Sequence, residues 1–172
     1  MLKVLHGIKP EQFENQTPCQ DWNVKQLINH MIGSCKFFAA RAEGTEPEPR
    51  KEIYTEDFEE TVNMLDSSTK QVVKAWKTPG ALEKTVQAPM GEVTGEFLAG
   101  ITVSEFLAHG WDLARATNQK IEVDDAVAEK VLELAKQRMT PETRGRAFAP
   151  ETQAPEGSPA IDQLAAFLGR SV

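Results

Sequence analysis

The stretch Val103-Ser-Glu-Phe-Leu-Ala-His-Gly-Trp-Asp-Leu-Ala-Arg-Ala116 decides how the chain is read. It is rich in Ala and Leu, with Gly110 as its one glycine, and so favours a helix. Advancing each residue by about 100° brings Glu105 and His109 side by side, one turn apart. Leu98, Ile101 and Ala116 share their stripe, with Asp112 at its edge and Leu113 beside it. A carboxylate and an imidazole therefore stand in the middle of a face that otherwise calls for burial. A lone buried carboxylate is costly unless something compensates it. Either the helix is rotated so that the pair reaches solvent, or the interior holds a partner for both. A divalent metal is the natural candidate, because neutral imidazole and carboxylate together suit zinc, nickel or iron.

The chain around this stretch has 172 residues, 40% hydrophobic and 26% charged, an ordinary soluble composition that reads as one domain, 1–172. Its net charge of -7 argues against nucleic acid as a partner, since phosphate-backbone binding needs a basic surface. No apolar run approaches the roughly 20 residues of a membrane helix. The N-terminus lacks the apolar segment of a signal peptide. A cytoplasmic protein without a membrane partner is expected. Cys19 and Cys35 match no metal-knuckle or redox-pair spacing and are expected as unbridged thiols.

Outward from the opening stretch, its helix runs from about Gly95 to Thr117 and ends at Asn118. Before it, Leu82 to Thr94 is broken by Pro89 and Gly91, and Val86 and Val93 alternate with polar residues, giving a short hairpin or a loop. Upstream, Thr55 is expected to cap a long helix whose seam is Phe58, Val62, Leu65, Thr69, Val72 and Trp76. Asn23 and Gln26 have capping-box spacing and open a helix from Val24 to about Ala42, ending near Gly44. On it, His30 points inward or to a cleft. Residues 1–9 read as the short end of a helix stopped at Pro10. Downstream, Asp124 and Asp125 start a helix with Val127, Val131 and Leu134 inside, ended by Thr140-Pro141. Residues 141–158 form a proline-rich arm. Ser158-Pro159 starts a last helix that buries Ile161, Leu164, Ala165 and Leu168. The fold class is all-α: an antiparallel four-helix bundle with a short hairpin or loop and a proline-rich C-terminal arm ending in a helix.

Other candidate side chains have two readings each. Asp112 either accepts from an imidazole of the site or pairs with Arg115 at i, i+3. Arg115, Arg144 and Arg146 either grip a carboxylate of a cofactor or substrate or are solvated, with solvation favoured for the last two. Cys19 either approaches the site as a thiol or packs a turn, the second being favoured. Trp22 and Trp111 pack the core or wall a pocket. His6 is read as solvated.

Three stretches together carry a resemblance. Thr17-Pro18-Cys19-x-Asp21-Trp22-x-Val24 is followed by Asn29-His30. Glu105-x-x-x-His109 continues into Gly110-Trp111-Asp112-Leu113-Ala114-Arg115-Ala116-Thr117. Phe148-Ala149-Pro150 leads to Leu164-x-x-Phe167-Leu168-Gly169-Arg170. They resemble the metal-binding domain of the mycothiol-dependent maleylpyruvate isomerase family, within the DinB-like superfamily of four-helix bundles. The resemblance implies a divalent metal, usually zinc (Zn2+, with Ni2+ or Fe2+ as alternatives), held by His30, Glu105 and His109. It also implies a low-molecular-weight thiol as cofactor, activated by the metal in a transferase or isomerase. Three protein ligands leave a position open, the pattern of a catalytic zinc site. Water there ionises near a pKa of roughly 7 and a thiol is deprotonated outright. The isomerase itself has a further C-terminal domain for which 172 residues leave no room, so maleylpyruvate is not the expected substrate. The expected function is thus a metal-dependent thiol transferase or isomerase acting on a small molecule. A metal-dependent hydrolase and a non-catalytic metal- or ligand-binding bundle are the alternatives. A hydrogen-bonded Glu105–His109 pair without metal is the bland reading of the spacing. No residue argues for or against a homodimer, which stays open.

Overall fold

The computed structural model describes residues 1–19, 22–139, 144 and 148–172. Among these the chain is mostly helical, with one two-stranded sheet. Helix α1 (Leu2–His6) and a 3-10 turn (Pro10–Gln12) precede α2 (Val24–Glu43) and α3 (Phe58–Trp76). Strands β1 (Thr85–Ala88) and β2 (Gly91–Thr94) lead into α4 (Gly95–Ala116), followed by α5 (Asp125–Arg138) and α6 (Ala160–Phe167).

Local chemistry sets most of these boundaries. The Asn23 side chain accepts from the Gln26 N–H at 2.9 Å, and the Gln26 side chain accepts from the Asn23 N–H at 3.0 Å. That reciprocal pair starts α2, and Gly44, left-handed at φ 80°, ends it. Helix α3 starts at Asp57 rather than Thr55: Asp57 Oδ1 accepts from the Glu60 N–H at 2.8 Å. Thr55 stands two residues outside, accepting from the Asp57 N–H and donating to the Glu60 carboxylate. Asp124 caps α5 as expected, accepting from the Ala126 N–H. Ser158 does not cap α6. Its hydroxyl donates back to the Pro155 carbonyl at 2.7 Å, and Pro159 occupies the cap position with no side-chain bond to offer.

The hairpin pairs Val86 with Val93. It joins α4 without a spacer. A Cβ on Gly95 would lie 1.9 Å from the Ala81 carbonyl oxygen, so only glycine allows the helix to start that close to the preceding loop.

Two apolar cores meet on α4. The first is built from α1, α2, α3 and one face of α4, with Leu5, Leu27, Ile28, Ile32, Leu65, Leu98 and Leu113 almost fully buried. The second takes the other face of α4, through Leu107, Ala108 and Trp111, against α5 and α6. Trp111 Nε1 donates to Asp162 at 2.6 Å and ties α6 to α4. The inner face of α5 is Ala128, Val131 and Leu132, at i, i+3 and i+4. Val127, expected inside, is exposed because this stripe turns it outward. Ile161, Leu164, Ala165 and Leu168 are buried as expected.

Residues 148–159 form neither helix nor strand and lie along α6, where the Thr152 N–H donates to the Ala166 carbonyl. The expected stop at Thr140-Pro141, the first part of the arm, Arg146, and Asp21 of the early turn lie outside the described residues. No described helix is long and apolar enough to cross a membrane.

Candidate metal centre

The capping box fixes where α2 begins, and so which side of it His30 faces. Trp22, just ahead of the cap, lies flat on that ring, with centroids 4.2 Å apart and planes at 24°. From α4, Glu105 and His109 project together, one turn apart. Glu105 Oε2 is 3.2 Å from His109 Nε2 and 3.6 Å from His30 Nε2. All three donor atoms lie within 4.8 Å of one another. The Glu105 side chain as a whole keeps 27% of its surface. Its Oε2, however, is out of contact with solvent and accepts no hydrogen bond. Both imidazoles flank this oxygen, His109 Nε2 within ion-pair distance and His30 Nε2 slightly farther off. Donor atoms on a tetrahedral centre with bonds of about 2.0–2.1 Å stand about 3.3 Å apart. Two imidazoles and a carboxylate at these spacings fit a divalent cation of the zinc, nickel or iron kind.

The far side of His109 is equally built. Its Nδ1–H donates to Asp112 Oδ2 at 3.1 Å. Asp112 is completely buried and is gripped by Arg170, whose Nε donates to Oδ1 at 3.2 Å and Nη2 to Oδ2 at 2.9 Å. Arg170 Nη1 also donates to the Leu168 carbonyl. The turn that sends Arg170 inward is Gly169, at φ 87°, where a Cβ would lie 2.6 Å from the Ala149 oxygen. A carboxylate fixed in this way holds the imidazole tautomer, leaving Nε2 toward Glu105.

These contacts move the titrations. Burial works against charged His109, but Asp112 and Glu105 outweigh it and raise the pKa to about 9. Burial likewise opposes the Glu105 carboxylate, and the two imidazoles outweigh it, holding the group well below the usual carboxylate range. Asp112 is lowered too, with His109 and Arg170 overcoming its desolvation.

Next to these groups is a cavity of about 410 Å³. Cys19 and Trp22 line it, and Cys19 forms a second cluster of donor atoms with His109 and Asp112. The structure therefore brings His30, Glu105, His109 and Asp112 together, with Trp22 as a wall. Arg115 is not brought to the cavity. It is exposed and lies over the Trp111 ring at 5.1 Å, so Asp112 pairs with Arg170 instead. Trp111 packs. Arg144 donates to the Phe167 carbonyl at 2.6 Å. His6, read as solvated, keeps 57% of its side-chain surface and lies 3.2 Å from Asp66 of α3. Cys35 is buried, and desolvation pushes its thiol up to about 12. Arg170, which the sequence reading left without a role, is the principal addition.

Residues 1–114 match the model of the mycothiol maleylpyruvate isomerase N-terminal domain family. The chain belongs to this family. The mycothiol maleylpyruvate isomerase N-terminal domain family links it to mycothiol-related, metal-binding proteins of the DinB-like kind. The uncharacterized proteins MT0763 and Rv0738, from two strains of Mycobacterium tuberculosis, are each 32% identical over 172 residues, covering 98% of this chain and 91% of their own. No solved structure matches. His30, Glu105, His109 and Asp112 all fall within the family-matched residues, whereas Arg170 and several cavity walls lie beyond them.

Proposed function

We propose that the protein is a divalent-metal-dependent enzyme in which His30, Glu105 and His109 hold the ion. Zn2+ is the first choice, with Ni2+ or Fe2+ as alternatives. The enzyme would activate a low-molecular-weight thiol for a transferase- or isomerase-type reaction on a small molecule. The observation that carries this reading is Glu105 Oε2, out of contact with solvent and set between two imidazole nitrogens from two different helices. A buried carboxylate oxygen needs positive charge beside it, which a cation shared with the two imidazoles supplies. When bound, such an ion supplies a Lewis acid that keeps a thiol, or water, deprotonated near neutral pH. The chain's own residues do the positioning. Asp112 accepts a hydrogen bond from the Nδ1–H of His109, Arg170 neutralises Asp112, and Trp22 holds the His30 ring. The architecture we attach to this reading is a single DinB-like antiparallel four-helix domain with a proline-rich arm, supported by the family and by α1 to α4 sharing a core.

Metal analysis of protein purified without chelators tests the donor set. About one ion per chain is expected, falling to near zero in His109→Ala and Glu105→Gln at unchanged helicity. Full metal content in His109→Ala would remove the assigned set. Conjugation of an aryl halide with mycothiol, bacillithiol or glutathione tests the thiol. Ester hydrolysis by water with no thiol turnover would move the assignment to a hydrolase.

A further inference from the structure

Away from the donor set, the cavity has a second and different chemistry. Ile101 and Ala108 of α4, Val131 and Leu134 of α5, and Leu164 and Leu168 at α6 give it apolar walls on three sides. The polar groups on those walls already have partners. The Ser104 hydroxyl donates to the Gly100 carbonyl at 2.9 Å. The Arg170 guanidinium is taken up by Asp112 and the Leu168 carbonyl. Arg138 is drawn over the Phe97 ring at 4.2 Å. A ligand passing along these walls meets methyl and methylene groups, so it is selected by apolar area and shape. The volume of about 410 Å³ is at the small end of the roughly 300–1,000 Å³ typical of organic-ligand sites. Four of the six wall residues lie beyond residue 114, outside the family-matched segment.

We propose that this cavity binds the apolar body of a small organic molecule, an aliphatic chain or a single aromatic ring, whose polar head meets His30, Glu105 and His109. The head rests on the metal reading given above; the body does not.

The test uses the whole chain and keeps the two apart. Cobalt-loaded protein is titrated with alkanethiols from ethanethiol to hexanethiol, reading the thiolate-to-cobalt absorption. Each added methylene is expected to tighten binding about fourfold until the cavity is filled. Mercaptoalcohols of equal length are expected to bind more weakly at each length, because the terminal hydroxyl meets no partner on these walls. The metal-free chain is titrated with toluene and followed by NMR, with shifts expected around Val131, Leu134 and Leu164. Leu134→Asp, at a half-buried position, is expected to flatten the series, and Leu134→Met to keep it. A flat series on cobalt-loaded wild-type protein, or no toluene binding, overturns the proposal and leaves the metal reading intact. Toluene binding in a chain that takes up no cobalt sustains the proposal and removes the metal reading.

Discussion

Asp112 serves two neighbours at once: it accepts from His109 and neutralises Arg170. In Asp112→Asn the guanidinium is left buried without its counter-charge. Removing one member of a buried pair costs about 3–5 kcal/mol, and on the proposed donor set the loss of the acceptor behind His109 is expected to weaken ion binding about 10- to 100-fold. Urea unfolding and competition with a chromophoric chelator read the two losses separately. His109 supplies a pH signature. Its pKa in the metal-free chain is raised from 6.5 to about 9. The charged ring therefore stabilises that chain fully below about 6.5, and the contribution fades as pH climbs through about 9. The urea midpoint of metal-free protein is expected to fall across this window, and to stay flatter in His109→Gln. An ion must displace the same proton, so at pH 7 uptake releases about one proton, and affinity rises about tenfold per pH unit up to the raised pKa. Calorimetry in buffers of different ionisation enthalpy counts that proton. The clustering of His30, Glu105 and His109 was legible in the sequence because helical spacing turns each toward the interior or a cleft, and the resemblance groups the three. Arg170 was not legible. It is 58 positions from Asp112, and nothing local selects it among 19 lysines and arginines. Arg115, the neighbour in sequence, loses because α4 turns it outward across Trp111.

Helix starts were readable where cap and partner are mutually exclusive in spacing, as with Asn23 and Gln26. They were ambiguous where two capping residues stand close, as at Thr55 and Asp57. The path of the chain into α3, rather than the residue type, decides that case. Asp57→Ala is expected to cost about 1 kcal/mol. Ser158→Ala is expected to cost less, because its hydroxyl closes the turn before α6 without capping that helix. Differential scanning calorimetry of the two variants separates these outcomes. Gly169→Ala puts a side chain at φ 87° and against the Ala149 oxygen. It is expected to destabilise by more than about 1 kcal/mol and to swing Arg170 off Asp112. Circular dichroism melts give the first effect, and a weakened ion affinity at constant pH gives the second.

At the scale of the molecule, α4 is shared. One of its faces belongs to the core of α1, α2 and α3, and the other to the core of α5 and α6. The donor set joins α2 to α4, and Arg170, which follows α6, reaches it through Asp112. On the proposed function an ion held there would couple the two helices, and at a free concentration 100 times its Kd it would stabilise the native chain by about 2.7 kcal/mol. The melting temperature is expected to rise with added Zn2+ and to drop on adding a chelator, with no such change in Glu105→Gln. The flat contact between Trp22 and His30, at 4.2 Å, has one more consequence. Trp76 is bonded to Thr102 and Trp111 to Asp162, so Trp22 is the indole lying against His30. Paramagnetic Co2+ or Ni2+ captured beside it would quench its emission. On the proposed function, the Trp22 emission would serve as a luminescent gauge of occupancy, one that Trp22→Phe would silence.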